Sequence, residues 1–243
     1  MIDSSDVLVV IPARKGSKGI PSKNKKKILG KPLVGYSFEI ASNLPDNYYA
    51  YVSSDDPEII ELAKEYKIKS NGIRPANLSS DNSLTLDVLK YELDFIEKNN
   101  NIDFDAVLLL QPTCPIRKLD HIKEIEDIFI KNRMICSVVS IKKIGSEHPF
   151  RMKVLSNDNN QITNYIDQGF EDMRPRQELP PVFIRNGSIY LTPAVSIRKN
   201  ISMVTDVAFG FEMDEKFSVN IDVYQDFLIA KYYLEAEAGI EPA

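Results

Sequence analysis

Tryptophan is absent from this 243-residue chain, and cysteine and histidine occur twice each. No apolar run approaches the roughly 20 residues of a membrane span. The two histidines, His121 and His148, lie far apart, which leaves a zinc site almost without candidate ligands. Cys114 and Cys136 each sit in or beside an apolar, strand-like run and read as buried free thiols rather than a disulfide. Basic residues are not in excess: 30 Lys+Arg stand against 35 Asp+Glu, a formal charge of −5. That balance argues against a nucleic-acid-binding protein. The first apolar run, residues 7–11, is too short for a signal-peptide core and no basic residue precedes it, so a cytoplasmic location is expected. Repeats and low-complexity linkers are also missing, which predicts one domain over residues 1–243. A hydrophobic content of 43% is enough for a sizeable core.

What is present is an alternation. The continuous apolar run at 7–11, ended by Pro12, reads as a buried parallel strand. Leu33, Val34, Phe38 and Ala41 then recur at helical spacing. Residues 48–52 form a second strand, stopped by Ser53-Ser54-Asp55-Asp56, and Pro57 opens a helix at its first position. A helix over 84–96, a buried strand over 106–110, a helix over 119–130 and a strand over 136–141 follow. This order predicts an α/β fold with a doubly wound, mostly parallel sheet covered on both faces. The rhythm breaks at residues 142–186, which carry short alternating segments and the Pro-rich stretch 174–181. That region reads as an inserted arm with short antiparallel strands. Strand character returns at 188–192, and a helix over 223–234 follows.

Charge is concentrated in one place. Residues 14–31 contain eight basic side chains (Arg14, Lys15, Lys18, Lys23, Lys25, Lys26, Lys27 and Lys31) and no acidic one. In an open parallel sheet, ligands bind beyond the carboxyl ends of the strands, and this segment leaves the first strand there. Gly16 and Gly19 let backbone N–H groups approach a ligand closely. Arg14 offers a planar fork to phosphate oxygens, the lysines add point charges, and Asn24 can pair with a base edge. The segment is neither a Walker loop (G-x4-G-K-[ST]) nor G-x-G-x-x-G. A solvated basic loop is the competing reading, and it is preferred for Lys25, Lys26 and Lys27.

The stretch IPARKGSKGIPSKN (residues 11–24) resembles the nucleotide-binding loop of the CMP-sugar synthetases, cytidylyltransferases that activate sialic acid and related nine-carbon acidic sugars. RPANLSSD (74–81), LLQPTCPIR (109–117), PRQELP (175–180) and RNGSIY (185–190) resemble the family's later motifs in the same order. The resemblance runs from about residue 7 to about residue 234. It implies a nucleotide-diphospho-sugar transferase-like fold in which 142–186 is a dimerisation arm of a homodimer. It further implies that Arg14, Ser17, Lys18 and Lys23 hold a triphosphate, while Ala13, Asn24 and Arg74 help select cytosine. Thr85 stands where the family usually has a serine near the nucleotide. Gln111, at the end of a buried strand, points into the crevice, and the resemblance gives it the sugar acid. Lys142, Arg176 and Arg185 are candidates for the substrate carboxylate, possibly in trans, where an arginine fork suits the group. Tyr190 either lines the sugar pocket or packs beneath the sheet, and Arg117 either caps structure or meets the ligand.

The metal site departs from the family. Where the family presents two aspartates as D-I-D, this chain has Asn220-Ile221-Asp222. Strand alternation would put 220 and 222 on one face, and an amide oxygen can ligate Mg²⁺. The alternative for Asp222 is the N-cap of the helix beginning at 223. The implied reaction uses CTP, an acidic sugar and Mg²⁺, with Arg14, Lys23 and Asp222 as the catalytic set. Two other readings stay open. One is a nucleotidyltransferase for an eight-carbon keto-acid or a sugar phosphate. The other is a non-catalytic nucleotide-binding protein with a degraded metal site.

Overall fold

The computed structural model describes residues 5–240. The chain builds a seven-stranded sheet in the order β11-β7-β10-β6-β1-β4-β5. In chain order the first elements are β1 (Val7–Pro12), the short strands β2 (Lys27–Ile28) and β3 (Lys31–Pro32), α1 (Leu33–Ser42) and β4 (Tyr48–Ser54). Then come α2 (Pro57–Glu65), β5 (Lys69–Ile73), α3 (Thr85–Asn100), β6 (Ala106–Leu110), α4 (Leu119–Lys131) and β7 (Ser137–Lys143). The remainder is β8 (Lys153–Leu155), β9 (Ile162–Asn164), β10 (Phe183–Pro193), α5 (Ala194–Arg198), β11 (Ala208–Glu212) and α6 (Tyr224–Glu237). β1 pairs in parallel with β4 and β6, β4 with β5, and β11 with β7. β10 alone runs against the rest, antiparallel to both β6 and β7. The doubly wound, mostly parallel α/β expectation holds.

Period-2 alternation explains the layers. Val7, Val9 and Ile11 face one core with Leu33 and Phe38 of α1, Ile59 of α2, Ile125 and Phe129 of α4 and Phe227 of α6. Leu8 and Val10 face the other with Leu89, Leu93 and Ile96 of α3 and Ile197 of α5. Both faces are therefore covered, which is why the strands read as unbroken apolar runs. Phe38, Phe104 and Phe129 are fully buried, and truncating any of them to alanine would cost about 3–5 kcal/mol. Helix starts follow local chemistry. Asp56 accepts from Glu58 N at 3.0 Å ahead of Pro57.

Three expectations change. β5, with the polar sequence KSNGI, and β11 carry no long apolar run and were not anticipated. Residues 218–222 are not a strand but irregular chain between β11 and α6. Asp222 does not cap α6; Asp226 does, its Oδ2 accepting from Asp222 N at 2.8 Å and Val223 N at 2.9 Å. The arm is an excursion between β7 and β10, whose paired ends include Lys142 against Ile184 and Lys143 against Phe183. The chain is thus away from the sheet over 144–182, where β8 and β9 form the expected short antiparallel pair. Both cysteines are free; Cys114 is buried and Cys136 only half-buried. Among the described residues no helix is long and apolar enough to cross a membrane.

Candidate active site

The sheet winds outward from β1 in both directions, through β4 to β5 and through β6 to β10. A crevice therefore opens beyond the carboxyl ends of β1 and β6. Three segments form its walls: the loop after β1 (Pro12, Arg14, Gly16, Ser17, Lys23, Asn24), the loop from β5 into α3 (Arg74, Ser80, Asp81, Ser83, Thr85) and the turn after β6 (Gln111, Pro112, Thr113). Six of the eight residues expected at a nucleotide therefore share one cleft. Ala13 is fully buried beneath it, its N–H donating to Ser53 O and its carbonyl accepting from Ser54 Oγ. Lys18 projects at the rim, with its side chain 76% exposed.

Side chains in the cleft are held before any ligand arrives. Asn24 is buried and donates from Nδ2 to Arg14 O at 2.9 Å. Arg74, 4% exposed, donates from Nε to Ser79 Oγ at 3.2 Å and faces Asp55 at 3.8 Å. Burial pulls its guanidinium pKa down, and the Asp55 and Glu92 carboxylates oppose that pull. Asp55 also accepts from Lys15 N at 2.7 Å, tying the two loops together. Arg14 Nη1 donates to Asp81 Oδ1 at 2.5 Å, and Lys18 Nζ lies 3.3 Å from Asp81 Oδ2. The hydrogen bond from Arg14 keeps the Asp81 carboxyl below its usual pKa.

Lys23 reaches across the cleft, donating to Ile221 O at 2.6 Å and to Asp222 Oδ1 at 3.3 Å. Gly19 approaches the same residue so closely that a Cβ there would fall 2.0 Å from Asp222 O. Only glycine fits. The remaining lysines of the loop divide. Lys25 pairs with Asp56 and Glu58, each at 2.9 Å. Lys26 lies over the Tyr224 and Phe227 rings at 5.1 and 5.4 Å. These two are braced rather than simply solvated, because acidic and aromatic side chains from α2 and α6 come within reach; Lys27 is exposed.

A second depression adjoins the first and shares Gln111 with it. Lys142, Arg185, Asn186, Gly187, Tyr190 and Asn220 line it. Its volume of about 670 Å³ exceeds the roughly 250 Å³ of the first cleft. Tyr190 packs among Leu8, Val10 and Leu109 and also lines this depression. Burial raises its phenol pKa, and Arg185 works against the rise. Arg176 is not brought here. It lines an adjoining depression on the arm side, with Glu212 and Asp214, which shares Lys142, Ile184 and Glu215 with the second one. Arg117 is structural: it is buried and donates from Nε to Cys114 O at 3.1 Å, and from Nη2 to Gln111 O and Cys114 O. Burial lowers its pKa to about 10.

Behind the shared wall stands a polar network that sequence reading did not assign. Asn186 Oδ1 accepts from Ser140 Oγ at 2.6 Å and Ser188 N at 3.0 Å, and Nδ2 donates to Ser218 Oγ at 3.0 Å. Gly187, at φ +81°, sits where a Cβ would lie 3.4 Å from Gln111 Oε1. The RNGSIY motif held both residues, but motif likeness alone gave neither a partner. Cys114 Sγ donates to Asn186 O at 3.3 Å and meets Asn220 Oδ1 at 3.5 Å. Burial pushes this thiol up to about 11. Asp55 and Asp81 were also missed as site residues: Asp55 read as part of a strand stop, and Asp81 closed the RPANLSSD motif without a role of its own.

For a cation, Asp222 beside Lys23 is the carboxylate that the sequence reading singled out. It is 68% exposed in its side chain, and its Oδ2 accepts from Asn220 Nδ2 at 2.7 Å. Asn220 and Asp222 thus meet side by side, though through an irregular turn rather than strand alternation. Mg²⁺ commonly takes one or two carboxylates together with substrate phosphates and waters, so this donor set fits.

Sheet order and a cation-lined cleft at the switch point place the chain in the doubly wound α/β class that takes ligands beyond the strand ends. The sequence model of the family described as "Cytidylyltransferase" matches residues 8–190. The N-acylneuraminate cytidylyltransferase of Streptococcus agalactiae serotype V is 31% identical over 91% of this chain and 51% of its own length. The pseudaminic acid cytidylyltransferase of Campylobacter jejuni is 31% identical over 92% of this chain and 94% of its own. The chain therefore belongs to the cytidylyltransferase family. It spans about half the length of the streptococcal relative. A solved CMP:2-keto-3-deoxy-manno-octonic acid synthetase complexed with CTP shares the fold at a TM-score of 0.66 and 18% identity, covering 96% of this chain and 100% of that one.

Proposed function

We infer that the chain transfers the CMP group of CTP to a nine-carbon keto-sugar acid of the sialic, pseudaminic or legionaminic kind. The observation that carries this reading is the shared Gln111, which puts a cation-lined cleft and a roomier polar depression on either side of one side chain. Cytosine lies toward Asn24 and Arg74, and Thr85 adds a hydroxyl at the same wall. The triphosphate follows the loop past Ser17 to Arg14, Lys18 and Lys23. The sugar acid occupies the second depression, its carboxylate toward Arg185 and Lys142.

The anomeric hydroxyl oxygen attacks the α-phosphorus in line, and the bond from that phosphorus to pyrophosphate breaks. Charge developing on the leaving pyrophosphate is met by Arg14, Lys18 and Lys23. No histidine lines either depression, and the hydroxyl proton is released to water. Asp222, beside Asn220, would hold Mg²⁺, which would supply charge neutralisation along the phosphate chain. Lys23 lies 3.3 Å from Asp222 Oδ1 and so joins this carboxylate to the phosphate loop.

The arm is assigned to a second copy of this chain, giving a homodimer. Val154, Leu155, Ile162, Tyr165, Phe170 and Met173 are all at least half exposed, more apolar surface than one short hairpin leaves to solvent without a partner. Arg176, which lines an adjoining depression rather than the sugar depression of its own chain, is then placed to meet the partner's substrate.

Purified protein given CTP, Mg²⁺ and a panel of sugar acids tests the reading by pyrophosphate release. Turnover with a nine-carbon acid is expected. Turnover confined to an eight-carbon keto-acid or a sugar phosphate would replace the substrate assignment. Saturable CTP binding without release on any acceptor would favour the binding-protein reading that Asn220 motivates.

A further inference from the structure

The cations of the phosphate loop are already engaged by carboxylates of the chain itself, and these carboxylates are not alike. Asp56 is 1% exposed and also caps α2, so its pairing with Lys25 belongs to the scaffold. Asp222 receives Lys23 where a cation is expected. Asp81 is different. It is exposed on the loop from β5 into α3, across the cleft from the loop after β1. One of its oxygens takes Arg14 and the other Lys18. Among the described residues its carboxylate makes no other hydrogen bond or ion pair. A planar anion bridging the two cations assigned to phosphate imitates the ligand.

We propose that Asp81 is an internal stand-in for phosphate that sets how strongly the nucleotide site holds polyphosphates. Resting on the reading of this cleft as the CTP site, the inference adds a competing residue to it. Entry of a triphosphate exchanges the Asp81 carboxylate for phosphate oxygens on Arg14 and Lys18, so part of the gross attraction is spent on breaking the bridge. A ligand that does not reach those cations leaves the bridge closed and is indifferent to it. Departure of pyrophosphate is aided in turn, because the carboxylate is at hand to recapture both cations. The bridge closes the mouth of the cleft between turnovers and weakens product inhibition.

The test is calorimetric binding of CTP, pyrophosphate and cytidine to wild type, Asp81→Asn and Asp81→Glu, with Arg14→Ala as control. Asp81→Asn keeps the shape and removes the charge. It is expected to bind CTP and pyrophosphate roughly 3- to 10-fold more tightly, the scale of two exposed ion pairs, with cytidine unchanged. Asp81→Glu, which keeps the competitor, should stay near wild type. The gap between wild type and Asp81→Asn should shrink in high salt, because exposed pairs are screened. Unchanged or weaker CTP binding by Asp81→Asn overturns the proposal; weaker binding would mean the carboxylate serves the bound state instead. Equal tightening toward cytidine also overturns it. If Arg14→Ala leaves CTP affinity untouched, the fault lies in the nucleotide-site reading itself. If Arg14→Ala weakens CTP and Asp81→Asn fails to strengthen it, only the stand-in role falls.

Discussion

The cleft assigned to the nucleotide and the depression assigned to the sugar acid share Gln111 but are built in opposite ways. In the cleft, the decisive side chains are sunk and tied: Asn24 and Arg74 are buried, and Lys23 is 12% exposed in its side chain. Each has a partner within its own chain, so the geometry a triphosphate needs exists before it binds. Across Gln111 the cationic groups are looser. Arg185 and Arg176 are exposed, and Arg176 lines an adjoining depression rather than this one. One half of the site is finished by the fold of a single chain. The other is held less tightly by this chain, which fits a family whose members are named for different sugar acids.

That contrast can be broken most directly by charge removal. Arg14→Ala and Lys23→Ala should each lower kcat/KM for CTP by about 100- to 1,000-fold, the cost of losing a donor aimed at transition-state charge, measured as pyrophosphate release. Arg176→Ala should instead raise KM for the sugar acid with little change in kcat. An equal loss of kcat from Arg176 would put it at the phosphates and erase the distinction. Next in size is Gly19→Ala. Its Cβ has no room beside Asp222 O, so the loop must shift and kcat/KM should fall about 10- to 100-fold, as displacements near 1 Å do. Circular dichroism should show the sheet intact.

Asn220→Asp sharpens the comparison on the metal side. It replaces the amide that donates to Asp222 with a second carboxylate, and Mn²⁺ titration followed by electron paramagnetic resonance should show roughly 10-fold tighter binding in the presence of CTP. Affinity no better than wild type would mean that Asn220 and Asp222 do not hold the cation. The smallest effect on the fold itself is expected from Leu155→Asp combined with Phe170→Asp. Both residues are exposed on the arm, so unfolding free energy should change by no more than about 0.5 kcal/mol per site. Light scattering should nevertheless report a monomer. A dimer surviving both changes would take the arm out of the assembly.

Much of this architecture was legible from residue order. The runs at 7–11 and 106–110 had to be buried strands, because only a sheet covered on both faces makes continuous apolar sequence cheap to bury. The basic, glycine-bearing loop after the first of them located the cleft, since strand ends in an open sheet are where ligands go. Resemblance then named the residues, and six of the eight expected at the nucleotide line one cavity. Sequence order failed where the partner is distant in the chain. KSNGI at β5 joins the sheet only because β4 offers an edge. The helix cap falls to Asp226 rather than Asp222 because the turn at 222–223 aims its N–H groups there. Arg117 is a brace because the turn from Gln111 to Cys114 folds its carbonyls onto it.

Local chemistry, in short-range patterns of apolar and charged residues, thus determined the layers, the cleft and the family. Only the tertiary structure decided which carboxylate faces which cation. Arg14 meets Asp81 and Lys23 meets Asp222 across gaps of 67 and 199 residues, and Arg176 is parted from Arg185, nine positions away in the chain. A Coulomb interaction depends on separation in space, and separation across loops is set by how the sheet is wound.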